Sequence, residues 1–189
     1  MYSIVASVTD TLAIFTVFGN VLAIALIALY LFTKFKKKEI KLSQLLSKHG
    51  VLFAWLVSFS AMAASLFYSE YAKYPPCELC WIQRIFFYPQ VLILGIAMYK
   101  KDKNVTRYAL PMAIIGLLVA IYQYIAQMLT AAGNTIIDSF VPCGASGAPS
   151  CTEFYFLKFG YITIPLMSLT GFVLITMLLL FAHKNATKK

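Results

Sequence analysis

"YPPCELCWIQRIFFYP", residues 74–89, opens on two prolines, sets two cysteines three residues apart, and then runs into apolar side chains that include one glutamine and one arginine. Pro75-Pro76 disfavours helix before it and suits the position just ahead of a helix start. Cys77 is therefore expected near the first turn of a helix, where free N–H groups and the helix dipole favour a thiolate over a thiol. Cys77 and Cys80 stand at i and i+3, on one face. Arg84 lies one turn further along that face, where a guanidinium can stabilise a thiolate or the charge building on an electron acceptor. Tyr88 continues the face, and Pro89 is placed to kink the helix below it.

The apolar run that follows is one of five, at about 11–33, 51–69, 81–99, 108–129 and 161–182. The chain has 189 residues and is 61% hydrophobic, too apolar for a soluble domain of that size. Each run is close to the ~20 residues that cross ~30 Å of hydrocarbon as helix. The runs are too long for barrel strands and lack strict alternation. The expected fold is an all-α membrane protein with five transmembrane helices.

The net charge of +9 is not spread evenly. Of the 16 Lys and Arg, 13 fall in "KFKKKEIKLSQLLSKH" (34–49), in "KKDKNVTR" (100–107) and in the tail from Lys184; the others are Lys73, Arg84 and Lys158. The positive-inside rule puts those 13 in the cytoplasm, which with five spans requires the N-terminus outside and the C-terminus inside. The basic loops read as orientation signals that can also touch anionic lipid, not as a nucleic-acid surface. Met1–Phe18 contains no Lys or Arg, and the positive charges follow the first run, the reverse of a secretory leader, so a retained helix is expected.

All four cysteines fall in the two loops expected outside: Cys77 and Cys80 in the short one, about 70–80, and Cys143 and Cys151 in the longer one, about 130–160. Cysteines confined to that face suggest an oxidising compartment and disulfides. Three pairings are possible; Cys77–Cys80 and Cys143–Cys151 are favoured because each pair shares a loop. A zinc site would have to use Cys143 and Cys151, with seven residues between them and no histidine on that face, so no metal is expected. "CGASGAPSC" is built from small residues, which leave sulfur approachable for thiol–disulfide exchange. Its flanks, "TIIDSF" and "EFYFLKF", are apolar enough to rest at the interface or to be helix ends. Trp81 reads as a belt aromatic. In the fourth run Gln123 and Gln127 form an i, i+4 pair. Interhelical hydrogen bonding is the plain reading; contact with a polar ligand head group, at about the depth of Arg84 for Gln127, is the sharper one.

The stretch "YPPCELCWIQRIFFYPQVLILGIAMYKKDKNVTRYALP", with "GYITIPLMSL" opening the last run, resembles the disulfide bond formation protein B (DsbB) family of thiol:quinone oxidoreductases, nearest its short Gram-positive-like (BdbC-type) members. The resemblance covers roughly residues 50–183. It implies a four-helix redox core over 50–189, preceded by an extra transmembrane helix and basic linker over 1–49, in a bacterial plasma membrane. It further implies a quinone, ubiquinone or menaquinone, beside the first cysteine pair, and an extracytoplasmic thioredoxin-like (DsbA-like) oxidase as partner. By position Cys143 matches the cysteine attacked by the partner and Cys151 its mate. Cys77 matches the one exchanging with that pair, Cys80 the one facing quinone, and Arg84 the quinone-site arginine; Gln127 and Tyr88 are further candidates. Two other readings stand beside this one: a non-enzymatic membrane protein with two structural disulfides, and a thiol enzyme reducing a quinone epoxide.

The orientation is testable with single cysteines at Val5, Lys38, Lys103 or Thr187 in a cysteine-free background. A membrane-impermeant thiol reagent should label only position 5 in intact cells; labelling at 38 would reverse the topology.

Overall fold

A computed structural model describes residues 2–36, 40–102, 104–133 and 149–186. Among them run five helices: α1 (Tyr2–Phe35), α2 (Lys41–Leu66), α3 (Glu78–Lys100), α4 (Thr106–Ala131) and α5 (Ile164–Ala186). A π-helical turn, Phe67–Tyr71, continues α2. All five are long and apolar enough to cross a membrane, and no strand is present among the described residues beyond an isolated bridge between Lys158 and Ile162.

The helices outrun the apolar stretches. α1 has 34 residues, ~51 Å at 1.5 Å per residue, so it must tilt or protrude from ~30 Å of hydrocarbon. α2 begins at Lys41 because "KLSQLLSK" holds good helix formers and no breaker. Position 49/50, where the division of the chain was expected, therefore lies inside a continuous helix.

α5 is the central helix: 61% of its most apolar window is buried, against 17–33% for the other four. It packs on α2, α4 and α1, while α3 bridges α2 and α4. Lipid supplies no hydrophobic drive for helix association, so close approach rests on small residues. Ala54, Ala109, Ala113 and Ala120 are fully buried. Phe172 of α5 lies against Gly116 and stacks on Phe87 of α3 with centroids 3.8 Å apart. Large apolar residues such as Leu92, Ile96 and Leu118 stay on the outside, as a lipid solvent allows.

The helices alternate in direction and give the bundle two ends. One gathers the basic segments; there Thr106 meets His183 at 3.0 Å. The other gathers the cysteines. α1 is tied to this cysteine end by a Lys158–Asp10 ion pair at 2.7 Å, by Tyr68 Oη donating to Thr9 at 3.5 Å, and by Thr170 donating to Asn20 at 2.7 Å.

A Cβ added at Gly50 would stand 2.6 Å from the Leu178 carbonyl, a backbone atom that cannot yield without moving α5. Gly50→Ala should cost roughly 1–3 kcal/mol, as overpacking does, read as a lower thermal midpoint in detergent. Gly95→Ala, whose Cβ would meet only the Trp55 indole at 3.2 Å, should lose less.

Candidate active site

Lys73 adopts a left-handed backbone (φ 58) and turns the chain out of the π-helical segment. Two prolines follow, and Cys77 takes the N-cap of α3 with φ −73 and ψ 172. Its sulfur accepts a hydrogen bond from the Cys80 backbone N–H at 3.3 Å, the geometry of a capping side chain. Cys77 thus sits one residue ahead of the helix, and Cys80 closes the first turn. Their sulfurs stand 2.6 Å apart, inside non-bonded contact, so little movement separates a dithiol from a disulfide. The hydrogen bond to Cys80 and burial push the Cys77 thiol up.

Behind the sulfurs lies a buried polar relay. Ser168 of α5 donates to Gln83 Oε1, and Gln83 Nε2 donates to Gln123 Oε1 at 2.6 Å. Gln123 Nε2 in turn reaches Cys77 Sγ at 3.2 Å, Cys80 Sγ at 3.5 Å and the Cys151 carbonyl at 3.5 Å. Of the two glutamines singled out in α4, Gln123 therefore faces the thiols. Gln127, one turn nearer the cysteine end, donates instead to the Glu153 carbonyl at 3.0 Å and does not line the cavity described next.

Arg84 lies one turn below Cys80. Its Nε donates to Ser65 Oγ at 2.9 Å, its Nη2 to the Ser65 carbonyl at 3.1 Å, and its guanidinium stands 5.0 Å from the Trp81 ring centroid. Tyr88 joins through the same hydroxyl, donating to Ser65 Oγ at 3.4 Å, but does not itself line the cavity. Cys80, Gln83, Arg84 and Gln123 border a cavity of about 360 Å³ whose other walls are largely apolar, among them Leu56, Phe87 and Leu174. Ser65 carried no signal in the sequence: a serine near the end of an apolar helix looks like any other.

Cys151 packs with Cys77, Leu79 and Ala126 in one buried cluster, against which Cys80 also rests. It is disulfide-bonded. Cys143, its expected mate, lies outside the described residues. Four aromatic rings join this loop to the first one. Tyr74 stacks on Tyr155 with centroids 4.6 Å apart, and Tyr68 stands 5.9 Å from Tyr74 and 5.7 Å from Phe156. Burial and then the Glu153 carboxylate push Tyr155 up to about 12, which keeps its hydroxyl a donor to the Pro75 carbonyl at 2.8 Å.

A dithiol at a helix start, bordering a cavity inside a multi-pass helical membrane protein, is the arrangement of a membrane thiol oxidoreductase. The family model described as disulfide bond formation protein DsbB matches residues 47–182, and the chain belongs to that family. The chain is 44% identical over 142 residues to the probable disulfide formation protein C 2 of Bacillus cereus, covering 75% of this chain and 96% of the relative. It is 47% identical over 122 residues to the disulfide bond formation protein C of Bacillus subtilis, covering 65% and 83%. It is 36% identical over 150 residues to a probable disulfide formation protein of Coxiella burnetii, covering 78% and 96%. No solved structure matches it significantly. Membership in this family implies oxidoreductase chemistry in the service of disulfide bond formation.

Gln123→Leu removes the side-chain N–H shared by both sulfurs. Hydrogen bonds to charged groups contribute about 1.5–3 kcal/mol, so alkylation of the reduced pair at neutral pH should slow by roughly tenfold or more. Mass spectrometry of iodoacetamide adducts against pH checks this. In the unmutated protein Cys80 should be modified before the more buried Cys77.

Proposed function

We propose that the protein is a membrane thiol:quinone oxidoreductase that reoxidises an extracytoplasmic thioredoxin-like thiol:disulfide oxidase. The observation that carries this is the division of the first pair. Cys80 borders the cavity, while Cys77 lies in the buried cluster with Cys151. One dithiol thus stands between a second cysteine and an apolar chamber.

In this reading the partner's dithiol attacks the Cys143–Cys151 disulfide. The partner leaves oxidised, and the loop pair is left as two thiols. These exchange with a Cys77–Cys80 disulfide; the loop disulfide reforms, and Cys77 and Cys80 become the thiols. Closing the Cys77–Cys80 bond again releases two electrons and two protons. A quinone in the cavity would be the acceptor of both.

The residues present fit such a group. A volume of about 360 Å³ lies within the ~300–1,000 Å³ usual for small-molecule sites. The walls suit an apolar ring, and the polar groups gather at the sulfur side. Arg84 and Gln123 would hold the carbonyl oxygens and favour the Cys80 thiolate. Ser65 and Trp81 orient the guanidinium in advance, so little side-chain entropy remains to be lost on binding. Tyr88 acts at one remove, through Ser65. The basic end of the bundle would face the cytoplasm and the cysteine end the outside, where the soluble oxidase works.

Purified protein, a quinone and a reduced thioredoxin-like oxidase should together yield quinol. With Cys143 and Cys151 both changed to Ser, quinone should still oxidise Cys77 and Cys80, while partner turnover stops. Cys80→Ser should halt electrons before quinone and accumulate mixed disulfides. Arg84→Ala should insert normally and raise the quinone KM by about tenfold, the equivalent of ~1.4 kcal/mol; Arg84→Lys should fall between. Full partner turnover in the Cys143/Cys151 double variant would sink the relay.

A further inference from the structure

The match to the family begins at residue 47, beyond α1, so the family reading assigns that helix no work. Yet Leu12, Phe15, Thr16 and Gly19 of α1 line the same cavity as Cys80 and Arg84. Their spacing of i, i+3, i+4 and i+7 puts them on one helical face. We propose that α1 is a wall of the quinone site and that these four residues select the quinone by its tail, which lies between α1 and α2. The inference rests on the quinone reading above.

Three features support it. First, α1 is docked at the right height. The contacts of Asp10, Thr9 and Asn20 bracket the four residues above and below, so this segment is fixed against the bundle. Second, the approach is close where it needs to be. A Cβ added at Gly19 would stand 2.9 Å from Thr170 Cγ2, so the α1 backbone there rests directly on the Thr170 side chain of α5. Third, α1 packs along α5 and barely meets α2, although α2 contributes Leu56, Val57, Ser60 and Ala64 to the opposite wall. Two helices that border one cavity from either side without sealing against each other leave a lateral slot. Phe15, 67% exposed, stands at its lip. The Thr16 hydroxyl is satisfied within its own helix, donating to the Leu12 carbonyl at 2.7 Å. The α1 wall is therefore apolar in effect and suits a hydrocarbon tail, while the charged and amide groups remain with α3 and α4.

The test uses the full chain in nanodiscs, with reduced Cys77/Cys80 and two quinones sharing one ring, one with a decyl tail and one without. Thr16→Trp should raise the KM for the tailed quinone by about tenfold, several-fold more than it raises that for the tailless one, with the single-turnover exchange between the cysteine pairs unchanged. Arg84→Ala should raise both. Tailed-quinone kinetics unchanged in Thr16→Trp, with Arg84→Ala still impaired, would overturn the role of α1 and leave the quinone reading standing. A photoreactive quinone with its azide on the tail supplies a readout independent of mutation. Adducts competed by unlabelled quinone should map to residues 12–19 in the unmutated protein; adducts confined to α2–α5 would overturn the proposal. Absence of any competed adduct and of quinol would remove the quinone reading itself, and this proposal with it.

Discussion

The Cys77 sulfur caps α3, and the arrangement of the cysteine end follows from that contact. A helix start leaves backbone N–H groups without intrahelical partners, and a capping side chain satisfies one of them. Here the cap atom is also the reactive atom. Proline at 76 holds Pro75 extended, and Cys77 itself is extended, so the chain enters α3 at a fixed angle. Cys80 then falls on the same face one turn in, bordering the cavity, and Arg84 one turn deeper. Each residue advances the helix by 100°, so a cap displaced by one position would carry both Cys80 and Arg84 away from the chamber.

Polar side chains within two turns of Cys77 join α3 to three of its neighbours. Gln83 reaches α4 through Gln123 and α5 through Ser168, and Arg84 reaches α2 through Ser65. Interhelical hydrogen bonds in membranes contribute on average only about 0.6 kcal/mol each. Such bonds are too weak to account for the bundle, which the small-residue packing around α5 holds together. What they do instead is fix rotation. A buried amide left unpaired is costly, so α4 has little freedom to turn Gln123 away from the sulfurs.

The five spans, the thiol pair at a helix start and Arg84 on the same face were legible because each depends on composition or on spacing within one helix. Relations between helices were not. Gln123 and Gln127 share a face of α4, and nothing along the chain says which one stands level with Cys77; that depends on how far α4 slides along α3. Ser65 as the anchor of Arg84 is hidden for the same reason, since its role exists only across a helix pair. Residues 41–49, the end of the expected basic linker, are helical, because lysine is also a good helix former and its stem lies easily along a helix end. The cavity-lining face of α1 is the least visible of all. Leu, Phe, Thr and Gly in an apolar span look alike whether lipid or a chamber lies beside them.

The second loop has two duties that cannot be separated. It carries Cys151 into the cluster with Cys77, and it carries Tyr155 and Phe156 onto Tyr74 and Tyr68. Tyr155 borders the cavity and is bonded to the Pro75 carbonyl, two residues before Cys77. A ring in place of water there would lower the local dielectric and so strengthen the interaction of Arg84 and Gln123 with any charge on sulfur. The π-helical turn serves the same end, since it sets Tyr68 where it meets both Thr9 of α1 and the stacked rings. A displacement of Cys151 away from Cys77 would therefore strain the Tyr74–Tyr155 stack. The residues that hold Cys151 beside Cys77 are continuous, through Tyr155, with the wall of the chamber, so the position of this loop and the enclosure of the cavity depend on the same few aromatic rings.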